Sequence, residues 1–329
     1  MDARRRTFLK AGALGALAVS GSANAAGNGA RPEAPVMVRG MTLLTMRNGG
    51  SYTLGIKTAR GILDVKKAAR ALKAEVPVTM DALIATGDAG LADLVAQAKS
   101  SALYVDESKI TFGPAVTNPE KIICVGLNYA RHAREVGQPI PKLPILFNKY
   151  NNALNAHGGV VRVSSIPAQN FDYEAELVIV IGRRARDVSE SEALSYVLGY
   201  AVGNDFTARD LQSRSSQWMI GKTCDGFGLL GPYLVTADLV GDPNNLKIEC
   251  SVNGEIRQSS NTNDMVFNCA QIVSYTSKLL TLEPGDIIYT GTPEGVISGY
   301  PKEKQVWLKP GDKLTTSIEK LGEMRFSLV

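Results

Sequence analysis

Histidine is almost missing from this chain. Only His132 and His157 occur in 329 residues, so no site built on three histidines can exist. Cysteine is also scarce. Cys124, Cys224, Cys250 and Cys269 form no C-x-x-C pair and no metal-finger spacing, so a zinc cluster is not indicated and buried free thiols are expected. The chain has no G-x-S-x-G, which removes the nucleophile elbow of a serine hydrolase, even though His157-Gly158-Gly159 resembles an esterase oxyanion loop. No G-x-G-x-x-G follows a strand pattern and no Walker A loop occurs, so neither a dinucleotide nor an ATP site is indicated. No apolar run is long enough for a membrane span. The formal charge of +4 overstates how basic the body is. Four of the cations and one of the anions lie in residues 1–25, which leaves the rest of the chain within one charge of neutrality. A broad basic face for nucleic acid is therefore not expected. Hydrophobic residues at 44% and charged residues at 21% place the chain among globular proteins and away from disordered or fibrous ones.

The chain opens with Arg5-Arg6-Thr7-Phe8-Leu9-Lys10, a short Gly/Ala-rich apolar run from Ala11 to Val19, and Ala23-Asn24-Ala25. A charged head, a weak apolar middle and a small-x-small end read as a twin-arginine export signal over residues 1–26. That reading predicts a periplasmic protein with no membrane contact after signal removal. Residues 27–115 alternate short strand patterns (41–46, 52–56, 62–65) with helical ones (65–72, 91–99). They are expected to form a small α+β accessory domain. Residues 116–329 change texture to buried strands at 122–125, 177–181, 200–202, 248–252, 287–289 and 313–318. Two helices are expected there, at 189–197 behind a Ser189/Glu192 capping box and at 265–280. The fold class is α+β, mainly β, as a barrel or sandwich.

Glu174-Ala175-Glu176 runs directly into the apolar strand Leu177–Ile181. Strand side chains alternate faces, so the two glutamates point the same way, about 7 Å apart along the backbone. Two carboxylates entering a core repel each other and lose water, and a divalent cation removes both penalties. A strand whose first residues are still in solvent accounts for them equally simply. Asp205 ends the apolar strand 199–203 and could supply a third carboxylate oxygen, or it could cap the turn at 207–211. Three carboxylates without histidine would make a hard all-oxygen site, suited to Mg²⁺, Mn²⁺ or Ca²⁺. His132 and Glu135 lie three apart, so on a helix the carboxylate can hold the imidazole as a general base. In isolation that pattern is equally an incidental surface pair. Gly291-Thr292-Pro293 is either a plain turn or a cradle for a ligand carboxylate.

Several ordered motifs combine here: Val125-Gly126-Leu127-Asn128-Tyr129-Ala130-Arg131-His132, Asp172-Tyr173-Glu174-Ala175-Glu176-Leu177, Gly203-Asn204-Asp205-Phe206-Thr207-Ala208-Arg209-Asp210, Gly221-Lys222-Thr223 and Leu282-Glu283-Pro284-Gly285-Asp286. From about Lys121 to Val329 the chain resembles the fumarylacetoacetate hydrolase family, in particular its short bacterial, acylpyruvate-hydrolase-like members. The resemblance implies a mixed β-sandwich roll, a homodimer and a small-molecule keto-acid substrate. It implies that Glu174, Glu176 and Asp205 hold Mg²⁺ or Mn²⁺ (or Ca²⁺), and that His132 and Glu135 are the catalytic pair on a lid. Lys222 corresponds to the active-site lysine, and Arg209, Gln212 and Thr292 to the substrate pocket. The implied reaction is C–C cleavage of a 1,3-diketo acid by water activated at His132, with Lys222 neutralising the developing charge. Decarboxylation, tautomerisation or a lyase reaction on a β-keto acid such as oxaloacetate would use the same site. A non-catalytic periplasmic carboxylate-binding protein is a third reading, disfavoured because binding alone needs no general base.

Overall fold

In this computed structural model, residues 36–329 are described. The export-signal reading of residues 1–26 lies outside them. The expectation of a mixed, mainly β architecture holds. One eleven-stranded sheet runs in the order Tyr104–Val105, Gly61–Asp64, Ser51–Thr58, Thr42–Asn48, Gly228–Thr236, Val197–Asp205, Ala175–Ile181, Ile287–Tyr289, Ile122–Gly126 and Ile145–Lys149, with Leu154–Asn155 joined to Gly228–Thr236. A five-stranded sheet, Glu255–Asn261, Lys247–Val252, Lys313–Ile318, Gly322–Leu328 and Gly159–Val161, packs against it. No helix among the described residues is long and apolar enough to cross a membrane.

The central strands are apolar throughout because both faces are covered. In Ala175–Ile181 every residue is buried. Strand alternation sends Leu177, Ile179 and Ile181 into a core shared with the five-stranded sheet, through Ile248, Cys250, Leu314 and Phe326. Val178 and Val180 enter a second core with Leu43, Leu54 and Ile56, closed by Ala68, Leu83 and Leu94 of the short helices in the first part of the chain. Glu176 lies in the same alternating row as Val178 and Val180, which carries a carboxylate into this interior.

One local expectation fails. Residues 189–197 form only a short helix, Glu190–Ala193, followed by a 3₁₀ turn, Leu194–Tyr196. The Ser189 hydroxyl donates to the Glu192 carboxylate at 2.9 Å instead of capping the backbone, so the expected box does not form. The capping box occurs at Asn268, where Asn268 and Gln271 exchange backbone-to-side-chain bonds of 3.0 Å at the head of the helix Cys269–Leu279. The four cysteines are unpaired. Three are buried and Cys224 is half-buried, in line with the thiol expectation.

Gly203 allows two strands to close beside the acidic cluster. A Cβ there would stand 2.5 Å from Val178 Cγ2 and 2.7 Å from Tyr289 Cε1. Gly203→Ala is therefore expected to destabilise the protein by about 1–3 kcal/mol through overpacking. Calorimetric melting checks this, and an unchanged midpoint would show that the core yields without strain.

Candidate metal centre and its cavity

Strand register assembles the acidic cluster. Ala175–Ile181 pairs antiparallel with Val197–Asp205, placing Ala175 opposite Asn204 and Glu176 opposite Gly203. One step beyond, the Asp205 N–H donates to the Glu174 carbonyl at 2.9 Å, so Glu174 and Asp205 stand side by side. One carboxylate oxygen from each of Glu174, Glu176 and Asp205 lies within 4.8 Å of the other two. Glu174 is 5% exposed and Glu176 2%, so the solvated-strand reading does not apply. Asp205 caps no turn. The helix Arg209–Gln212 follows Ala208 without a side-chain cap, and the Asp205 carboxylate faces lysines instead.

Three cations surround the cluster. Lys222 Nζ is 2.5 Å from Glu174 Oε2 and 2.8 Å from Asp205 Oδ2. Lys149 Nζ is 2.5 Å from Asp205 Oδ1, and Arg209 Nη2 is 2.8 Å from Glu174 Oε1. Burial works against ionised Glu174, but Lys222 and Arg209 outweigh it and hold its carboxyl below the usual range. Burial likewise opposes the Lys222 ammonium, and Asp205 and Glu174 more than compensate. Glu176 differs. It has no ion-pair partner among the described residues and accepts one N–H, from Gly291, at 2.7 Å. Burial, then the charges of Asp205 and Glu174, push its carboxyl well above the usual range. A buried carboxylate lacking a cation, in a cluster whose three grouped side chains all offer oxygen, suits a hard divalent ion.

A cavity of about 660 Å³ opens onto this cluster, and Glu174, Glu176, His132, Lys222, Arg209, Gln212 and Thr292 all line it. His132 and Glu135 share the helix Ala130–Glu135, with Nδ1 3.3 Å from Glu135 Oε2. A carboxylate oxygen can only accept, so this contact keeps the proton on Nδ1 and leaves Nε2 as the basic nitrogen. Glu135 is itself fixed, accepting the Gly295 N–H at 2.9 Å. His132 is buried, at 5% exposure, so the incidental surface pair is excluded. The guanidinium of Arg209 is committed to protein groups: Nε to Asp172 and Nη1 to Gln212, besides Glu174. Thr292 accepts from Gln258 Nε2 at 2.8 Å. His157 lies elsewhere, accepting the Arg325 N–H and packing edge-on against Phe112.

Sequence reasoning passed over four residues that hold the site. Asp172 is fully buried and accepts from the N–H groups of Ile297 and Ser298 as well as Arg209. Gln258 ties Ala175 to Thr292 and Pro293. Asn128 clamps Thr290 and Phe267. Lys149 supports Asp205. Asp172 stands within a quoted motif, which was a usable signal. A lysine closing a short strand before Asn151-Asn152 reads as solvent-facing, so Lys149 carried none.

Residues 121–329 match the family model described as fumarylacetoacetate (FAA) hydrolase C-terminal. The oxaloacetate tautomerase FAHD2A, mitochondrial, of Bos taurus is 42% identical over 275 residues, covering 82% of this chain and 85% of that protein. Among solved structures, fumarylacetoacetate hydrolase from Exiguobacterium antarcticum superposes with a TM-score of 0.71 at 31% identity, covering 88% of this chain and 99% of that one. Fumarylpyruvate hydrolase from Pseudomonas aeruginosa, in complex with Mn²⁺ and pyruvate, gives 0.58 at 37% identity, covering 65% and 91%. The periplasmic expectation is corrected here, because similar relatives are named mitochondrial proteins of eukaryotes, which points away from bacterial export. The physical reason is that a basic, acid-poor head before a short apolar stretch is common to several N-terminal addresses, so charge pattern does not separate them.

Proposed function

The chain belongs to the fumarylacetoacetate hydrolase family, and on that premise we propose that it is a metal-dependent enzyme that interconverts the enol and keto forms of a β-keto acid of the oxaloacetate type. The observation that carries this reading is the buried triad of Glu174, Glu176 and Asp205, whose two glutamates line one cavity with His132. The tautomerase relatives, 40–42% identical over more than four-fifths of this chain, support the choice of substrate. A hard divalent ion (Mg²⁺ or Mn²⁺) held by the triad would supply Lewis acidity at the substrate carbonyl. His132 Nε2 takes the proton from the carbon between the carbonyl and the second carboxyl group, then returns it to the enolate oxygen. The electron pair of the broken C–H bond becomes the C=C bond and the carbonyl π pair moves to oxygen. The proton is thus the only atom transferred, and ketonisation is the reverse. Glu135 steadies the imidazolium formed between the two transfers, and the Lys222 ammonium offsets negative charge on the enolate. Gln212, Thr292 and the committed Arg209 shape the pocket wall. In this proposal residues 27–115 are an accessory part, residues 116–329 carry the chemistry, and the enzyme works as a homodimer.

Hydrolytic cleavage of an acylpyruvate, with His132 activating water, is the second reading. It is favoured by the fumarylpyruvate hydrolase that resembles this chain. Purified protein given enol-oxaloacetate and an acylpyruvate panel separates the two. Ketonisation without carbon loss, abolished by EDTA and restored by Mg²⁺ or Mn²⁺, is the expected outcome. Release of a free carboxylic acid from the acylpyruvates at a comparable rate would move the assignment to the hydrolase.

A further inference from the structure

We propose that Lys149 is a positioning residue that sets Asp205 for cation binding, whereas Lys222, of equal charge on the same carboxylate, is the ammonium a bound cation must displace. This rests on reading the triad as a metal site. The two lysines contact opposite oxygens of Asp205 but have different surroundings. The Lys149 side chain is wholly buried at the end of Ile145–Lys149. Its Nζ meets Asp205 Oδ1 at 2.5 Å and Phe206 O at 3.4 Å, and donates to Lys222 O. The hydrogen bonds of this ammonium go to two backbone carbonyls, its approach to Asp205 is a close ion pair, and Lys149 is not among the residues lining the cavity. Lys149 is therefore turned away from substrate. Instead it joins Asp205 to the helix Met219–Lys222 in one arrangement. Lys222 Nζ bridges Glu174 Oε2 and Asp205 Oδ2, oxygens of two members of the triad, and it lines the cavity.

The difference gives opposite signs for one change of charge. Coulomb's law alone says that removing either ammonium tightens cation binding. Loss of Lys149 also frees a buried carboxylate to rotate, and outer partners that orient ligands are usually worth 10–100-fold in metal affinity. Mn²⁺ titration of the chelator-treated full chain, followed by EPR of the free aqua ion, reads the effect directly. Lys149→Met should weaken Mn²⁺ binding about 10–100-fold. Lys222→Met should tighten it by at least about tenfold, a lower bound because a unit charge a few ångströms from a divalent ion is worth more than that even at the dielectric of water.

Circular dichroism and melting establish that each variant is folded. A lysine needed only for structure would lower the melting temperature without moving Mn²⁺ affinity in the direction opposite to its charge. Unchanged or tighter binding by folded Lys149→Met overturns the proposal, as does weaker binding by Lys222→Met. Should Lys149→Met fail to fold, Lys149→Arg decides. It keeps the charge, but a planar fork cannot serve the same three oxygens, so affinity should still fall about tenfold. Equal affinity there refutes the positioning role. Wild-type protein that binds no Mn²⁺ overturns the metal reading and this inference together. Normal wild-type binding with misbehaving lysine variants overturns this inference alone.

Discussion

Glu176→Gln is expected to remove metal-dependent turnover while leaving a folded chain. The substitution deletes one ligand charge from a site that has no histidine to replace it. Mn²⁺ affinity should fall by more than about 100-fold, beyond the range of changes outside the coordinating shell. The fold should survive for a reason visible at the same residue. Glu176 is buried without a cationic partner, and Asp205 and Glu174 add to the burial that disfavours its charge. An amide of the same shape can still accept the Gly291 N–H, which lies at 2.7 Å from the carboxylate, while the like-charge repulsion disappears. In EDTA the variant should melt no lower than the wild type. Near-normal rate and Mn²⁺ affinity would take Glu176 out of the metal site. A collapsed melting curve would instead make it a structural residue.

Removing the base should separate chemistry from metal binding. His132→Ala is expected to slow turnover by roughly 10²–10⁴-fold, the usual contribution of a positioned proton acceptor. The imidazole hydrogen-bonds to Glu135 and not to Glu174, Glu176 or Asp205, and its influence on Glu174 is through space and minor beside burial, Lys222 and Arg209, so Mn²⁺ affinity should change by less than about tenfold. Exchange of the substrate's carbon-bound proton for solvent deuterium should slow in parallel, since the same nitrogen is assigned both transfers. An unchanged rate removes His132 from the mechanism. A lost rate with an equal loss of metal would show that the helix Ala130–Glu135 supports the acidic cluster instead of reacting.

Much of the sheet was legible because its signal is local. The strands Ile287–Tyr289 and Lys313–Ile318 were read to the residue, and Ile122–Gly126 to within one, since a short apolar run or a period-two alternation such as Lys313–Ile318, bounded by turn residues, has few other solutions. The Ser189 helix was misread for an equally local reason. The serine and glutamate of a capping box can bond each other and leave the backbone unserved, and the one-dimensional pattern is the same in both cases. Glu174, Glu176 and Asp205 were found because acids beside apolar strands are anomalous. Lys149 was missed because a lysine near a turn is ordinary.

The order of residues determined the chemical inventory: acidic side chains aimed into apolar strands, a histidine and glutamate one helical turn apart, and too few histidines or paired cysteines for a softer metal. These follow from side-chain identity and from periods of two and 3.6, which act over a few neighbours. Tertiary structure alone decided which charges share a site. Glu174 and Asp205 adjoin through strand register, Lys149 approaches from a distant edge of the sheet, and Gly203 leaves room for both strands to close. Coulomb energy depends on distance in space and on the surrounding dielectric, and both are set only when the sheet is complete.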